Sequence, residues 1–191
     1  MILASRSPRR AELLRQLGAS FAVIDVEIDE APGAQEAPAD YVRRLARAKA
    51  EAGRAAHGNT GAVLAADTSV ALAGRLFGKP RDAADGAAIL SALSGRRHEV
   101  HTAVALATGR GVEACVVATV VEFAPLDAAV IAAYWASGEP ADKAGAYGIQ
   151  GLGGALVTRI EGSYSAVVGL PLCETRALLD SAGIPHALSP R

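Results

Sequence analysis

The sequence predicts an α/β protein built on a mixed sheet. Three observations predict it. Strand-like and helix-like segments alternate along the 191 residues. Half of the chain is hydrophobic, but aromatics are only 4%, so the core has to be made of Ala, Val, Leu and Ile. Two extended segments, His98 to Ala107 and Val112 to Phe123, are joined through Thr108-Gly109-Arg110-Gly111, which reads as a hairpin. Alternation favours parallel strands linked by helices and a hairpin demands an antiparallel pair, so both kinds of pairing are expected in one sheet.

The elements follow in order. The chain opens as a strand, after which Ser7 is a good helix cap, Pro8 suits the first helical position, and Leu13, Leu14 and Leu17 repeat at helical spacing until Gly18. Phe21 to Ile28 is strand-like, and a loop rich in Pro, Gly and acid runs from Asp29 to Pro38. A helix is expected from near Asp40 to about Ala56. Gly61 to Ala73 is apolar and extended, with an internal break at Asp67-Thr68. Asp82 caps a helix over Ala83 to Leu93, stopped by Ser94-Gly95. After the hairpin, Asp127 begins a helix that ends at Gly138. The Gly-rich stretch Gly145 to Gly154 leads to a strand over Ala155 to Ile160, a short apolar segment ending at Val168, and a last helix introduced by Pro171 and ending near Gly183.

Composition excludes several classes. The net charge is −1 and the charges are dispersed, which gives no basic footprint for nucleic acid. Apolar runs are too short to span a bilayer, and at the N-terminus the apolar piece precedes the positive charges, the wrong order for a signal peptide. Cys115 and Cys173 have no partner spacing and read as buried thiols of a cytoplasmic protein. Without repeats, a low-complexity tail or a linker, the chain is expected to form a single domain over 1–191, or two lobes sharing a sheet.

Function is signalled by polar residues where the local pattern asks for apolar ones. Lys49 falls on the helix face made by Val42, Leu45, Ala46 and Gly53, so it either meets an anion or snorkels to water. Asp67 interrupts a run that would otherwise be a buried strand; it wants a metal, a cation or several N–H donors, or else caps a turn. Lys79, in Gly78-Lys79-Pro80, is either a phosphate-holding point charge or a surface turn residue. The segment before it is not a P-loop, because the spacing is one residue short and Pro80 stands where a hydroxyl is needed. Ser5, Arg9 and Arg10 lie at a helix N-terminus suited to phosphate oxygens, with a solvated turn as the alternative. Glu27, Asp29 and Glu30 form an acidic cluster at a strand end, suited to Mg²⁺ or Mn²⁺ or simply to water. Gln150 either offers a bidentate amide to a base edge from the Gly-rich loop or is an ordinary turn amide. The four histidines make no metal spacing.

Taken together, Ile2-Leu3-Ala4-Ser5-Arg6-Ser7-Pro8-Arg9-Arg10, Ala66-Asp67-Thr68, Gly78-Lys79-Pro80, Asp142-Lys143-Ala144-Gly145-Ala146-Tyr147-Gly148-Ile149-Gln150-Gly151 and Val168-Gly169-Leu170-Pro171 resemble, in order, the motifs of the Maf family of nucleoside triphosphate pyrophosphatases. The resemblance implies an elongated fold like that of inosine triphosphate pyrophosphatases, two lobes around a cleft, and a homodimer. It gives Asp67 the general-base role and, with Glu30, the metal. It gives Ser5, Arg10, Lys49 and Lys79 to the triphosphate. Arg9, Thr68 and Gln150 fit the branch that acts on dTTP and UTP. A branch preferring 7-methyl-GTP, or a non-catalytic partner in cell division, are the competing readings. Ser69 and Phe77 depart from the family pattern without touching a named role. The implied reaction has a water, deprotonated by Asp67 with Mg²⁺ or Mn²⁺ bound, attacking the α-phosphorus of a nucleoside triphosphate while Arg10, Lys49 and Lys79 offset the developing charge; attack at the β-phosphorus, which gives the same products, is the alternative.

Overall fold

Ser7 caps the first helix as its sequence demands. In the computed structural model, which describes residues 1–189, its hydroxyl accepts from the Arg10 N–H and Pro8 takes the first turn. Pro190 and Arg191, counted in the domain expected over 1–191, lie outside the described residues. The elements in order are β1 (Ile2–Ala4), α1 (Pro8–Gln16), β2 (Ala22–Ile24), α2 (Pro38–Ala56), β3 (Val63–Leu72), β4 (Arg75–Phe77), α3 (Ala83–Leu93), β5 (Arg97–Thr108) and β6 (Gly111–Phe123). There follow α4 (Ala128–Ala136), three short 3₁₀ turns between Glu139 and Leu156, β7 (Val157–Glu161), α5 (Tyr164–Val168) and α6 (Leu172–Ser181).

The strands form one sheet in the order β2-β1-β3-β5-β6-β7, with β4 also paired to β3. β1 runs parallel to β2 and β3, and every other pair is antiparallel, so the sheet is mixed as expected. The hairpin closes with Thr108 opposite Gly111, leaving two residues in the turn.

What positions the site is a notch in this sheet. β1 covers one edge of β3 only at Val63–Ala65, and β4 covers it only at Val70–Leu72. Between them, residues 66–69 have a sheet neighbour only on the β5 side. The core divides at the same point. Before the notch, period-2 alternation sends Leu64 and Ala66 into a cluster with Leu3, Leu14 and Leu179, and sends Val63 and Ala65 into one with Val42, Ala46 and Ala50 of α2. Beyond it, Val70 joins Phe77, Leu90, Phe123, Tyr134 and Tyr147. Two packed regions thus share β3, β5 and β6, and the notch opens between them.

Several expectations need correction. The break at Asp67-Thr68 does not exist: β3 is continuous, because Asp67 and Thr68 stay paired with Ala103 and Thr102 of β5. The residues break the hydropathy pattern but not the backbone ladder. β2 is shorter than Phe21 to Ile28, since β1 offers it only three residues to pair with. β4 was not foreseen; it turns back onto β3 through Ala73 (φ 50°) and Gly74 (φ 79°), the left-handed pair a tight hairpin needs. Helix α2 starts at Pro38 without a side-chain cap, two residues ahead of Asp40. Cys173 is exposed rather than buried, because α6 turns Thr175, Leu178 and Leu179 inward and leaves Cys173 on its solvent side; Cys115 is half-buried. No helix among the described residues is long and apolar enough to cross a membrane.

Candidate active site

The notch is the floor of a cleft of about 870 Å³, lined by Ser5, Arg9, Arg10, Glu30, Lys49, Asp67, Thr68, Lys79 and Gln150 among others. All nine residues to which the family resemblance gives a role therefore line one hollow, although they come from six separate segments.

Because β3 is a strand, Asp67 and Thr68 point to opposite faces of the sheet. Asp67, only 8% exposed, faces α2. There Lys49, carried inward on the apolar side of α2, places its Nζ 2.6 Å from Asp67 Oδ1 and 2.6 Å from Glu30 Oε1. This answers why a lysine stands among apolar residues: an ammonium withdrawn from water has two carboxylates in return. No described protein group bonds Asp67 Oδ2, which leaves it to the cleft. For Glu30, partial burial pushes the carboxyl upward. The Lys49 hydrogen bond and the charges of Lys49, Lys79 and Arg6 outweigh it and hold the group below its ordinary value. The Tyr41 hydroxyl donates to the Glu30 carbonyl at 3.0 Å and fixes the loop.

On the other face, Arg10 of α1 donates to Gly169 O at 2.8 Å through Nε, to Thr68 Oγ1 at 3.1 Å, and to Ser5 Oγ at 3.5 Å. The Thr102 hydroxyl lies 2.7 Å from Ala166 O and 3.1 Å from Thr68 Oγ1. Its single proton goes to the carbonyl, which can only accept, so the Thr68 hydroxyl completes the chain from Arg10 inward. Burial lowers the Arg10 pKa, partly opposed by Asp67, but a guanidinium stays charged even so. Ser5 Oγ also accepts from the Ser7 N–H at 3.1 Å. The first turn of α1 carries no acidic residue, so its positive end faces the cleft uncompensated.

The far wall is the Gly-rich segment. Glu139 holds it: Oε1 accepts from the Tyr134 hydroxyl at 2.7 Å and Gly153 N–H at 3.0 Å, and Oε2 accepts from Leu152 N–H at 2.8 Å. Gln150, exposed, projects from this wall into the cleft. Arg9 reaches across to Asp142 at 3.7 Å, and Asp142 is held by Lys143 at 2.6 Å. Lys79, exposed after β4, has no hydrogen bond or ion pair among the described residues, while its neighbour Gly78 accepts from Gly145 N–H at 3.0 Å.

The acidic cluster read from the sequence splits. Glu30 lines the cleft, Glu27 and Asp29 do not, and Asp29 caps the Ala31 N–H in the loop. Three residues that shape the site had not been singled out individually: Thr102, Glu139 and Lys143. Thr102, a hydroxyl inside an apolar strand directly opposite Thr68, carried a signal only once the register was known. Two of the four histidines are structural in their contacts, His98 with Tyr147 and His186 with Asp180.

A family model described as Maf-like protein matches residues 1–182. The chain belongs to the Maf family. Two Maf relatives are similar along nearly their whole length. The dTTP/UTP pyrophosphatase of Methylobacillus flagellatus is 54% identical over 183 residues, covering 95% of this chain and 92% of its own. That of Myxococcus xanthus is 56% identical over 185 residues, covering 97% and 93%. Among solved structures, a dITP/XTP pyrophosphatase from Mycobacterium abscessus aligns over 96% of this Maf chain and 94% of its own, at 21% identity and a TM-score of 0.46.

Proposed function

We propose that this Maf protein hydrolyses dTTP and UTP to the nucleoside monophosphate and pyrophosphate, as the names of its relatives describe for them. The observation that carries the reading is the Lys49 ammonium bridging Asp67 and Glu30 at 2.6 Å each on the floor of a cleft that the α1 N-terminus and Lys79, unpaired among the described residues, also line. Such a cleft offers cationic and N–H groups to a triphosphate and a carboxylate oxygen to a water. Asp67 is the general base. The water's oxygen attacks the α-phosphorus, its proton goes to Asp67, and the bond to pyrophosphate breaks. Lys49, Lys79, Arg10 and Ser5 hold phosphate oxygens, with Arg9, Thr68 and Gln150 on the nucleoside side. The chain acts as a single domain in two lobes around this cleft, as a cytoplasmic homodimer.

A divalent cation, Mg²⁺ or Mn²⁺, fits the residues present. Lys49 gathers Glu30 and Asp67 within reach of one positive charge, and both supply hard oxygen donors. No three His, Cys, Asp or Glu side chains among the described residues are grouped so as to hold a metal ion by themselves. The set suits an ion that takes its remaining ligands from phosphate and water. When bound, the ion would neutralise phosphate charge and acidify water.

A nucleotide panel assayed for pyrophosphate release with Mg²⁺ or Mn²⁺ tests the proposal. Hydrolysis of dTTP and UTP ahead of purine triphosphates is expected, and purine-only turnover or none overturns it. In ¹⁸O-water, label in the monophosphate is expected; label in pyrophosphate moves the attack to the β-phosphorus.

A further inference from the structure

Ser69 is the residue of the cleft floor that the reading above leaves without a task. It lines the cleft, is 5% exposed, and its hydroxyl has no hydrogen-bond partner among the described residues. A buried hydroxyl without a partner is costly, so its environment must supply one when the protein works. Opposite it across β3 and β5 stands His101, 8% exposed, whose Nδ1 is likewise buried without a partner. His101 Nε2 lies 3.1 Å from Glu99 Oε2, a carboxylate that only accepts, so Nε2 carries a proton; in the neutral ring Nδ1 is then an acceptor.

Strand alternation puts Ser69 on the same face as Asp67, two residues away and hence about 7 Å along the strand. Two hydrogen bonds of about 2.8 Å each span most of that gap through a single water. An acceptor for each proton of a nucleophilic water fixes its orientation and leaves an oxygen lone pair to point at phosphorus. Asp67 can take one proton, because Lys49 engages only its Oδ1. We propose that Ser69 Oγ accepts the second, so that Ser69 and Asp67 together hold and aim the attacking water. The serine's own proton is directed away from the cleft, toward the side of His101, its partner across β3 and β5. On attack the new P–O bond forms at the α-phosphorus, one proton passes to Asp67, the bond to pyrophosphate breaks, and Ser69 is unchanged. This inference rests on the proposed pyrophosphatase activity.

The test compares the wild-type chain with Ser69→Ala and Ser69→Thr. Steady-state hydrolysis of dTTP is measured together with calorimetric binding of a non-hydrolysable α,β-imido analogue. Ser69→Ala is expected to lose about tenfold in kcat, the scale of one neutral hydrogen bond, with KM and analogue affinity unchanged. Ser69→Thr, which restores the hydroxyl, is expected to recover most of the loss. Wild-type kcat in Ser69→Ala overturns the inference, as does a loss matched by equally weakened analogue binding. Those outcomes leave the pyrophosphatase reading standing, whereas a wild-type chain that hydrolyses no triphosphate removes both.

Discussion

Lys49 is where two carboxylates meet, and the chemistry of the floor depends on that one ammonium. Removing it leaves Glu30 and Asp67 side by side with no cation between them. Burial already pushes Glu30 upward, and the bond to Lys49 is the foremost influence holding it down. In Lys49→Met the Glu30 carboxyl is therefore expected to titrate at higher pH than in the wild type, which ¹³C NMR of labelled glutamate would follow. An unmoved Glu30 would show that Lys79 and Arg6 alone suffice. Asp67→Asn preserves shape and the Lys49 contact through the amide oxygen but cannot accept a proton. Turnover should fall by at least about a hundredfold while thermal stability and analogue binding persist. Near-normal hydrolysis by that folded variant would end the general-base assignment.

At the scale of elements, the Gly-rich wall is held to the strand floor by close approach rather than by its own secondary structure. Gly145 has φ +71°, and a Cβ there would lie 2.7 Å from Val70 Cγ2. Gly145→Ala combines a strained backbone with a collision in a packed region, so a loss of about 1–3 kcal/mol is expected in denaturant unfolding. If stability is unchanged, the wall is not seated as described. Gln150 presents its amide from the same wall with no role in the packing beneath it. Gln150→Ala should lower the preference for dTTP and UTP over purine triphosphates while pyrophosphate release continues; identical selectivity before and after would remove Gln150 from base recognition. These elements were unevenly legible beforehand. α3 runs from Ala83 to Leu93 as expected, because Asp82 and Ser94-Gly95 mark its ends by local chemistry. β4 was invisible, because three residues cannot display a period and their pairing partner lies in β3.

Across the whole molecule, acid should weaken the region beyond the notch. His98 is buried against Phe123 and Tyr147, and burial lowers its pKa from 6.5 to about 4. Between those values the unfolded chain binds a proton that the folded chain does not, so stability falls as pH falls from about 6.5 toward 4 and is fully retained above that window. The loss has an upper bound of roughly 3 kcal/mol. His98→Phe keeps a ring in the cluster but cannot titrate. Urea midpoints at pH 7 and pH 4.5 should then converge relative to wild type, even though the Tyr147 hydroxyl loses a partner at both.

Taken by itself, the sequence determined the ends of α1 and α3, the hairpin, the mixed pairing and the identity of the residues out of place in apolar patterns. Caps, turns and amphipathic faces are set by neighbours a few positions away, so they can be read without knowing the fold. Only the tertiary structure decided that Asp67 and Thr68 interrupt nothing, that they turn to opposite faces of one strand, and that Lys49 serves Glu30 and Asp67 at once. It also brought in Thr102, Glu139 and Ser69. Those features arise because β1 and β4 each cover only part of β3, a consequence of sheet register and strand length set by contacts between residues far apart in the chain.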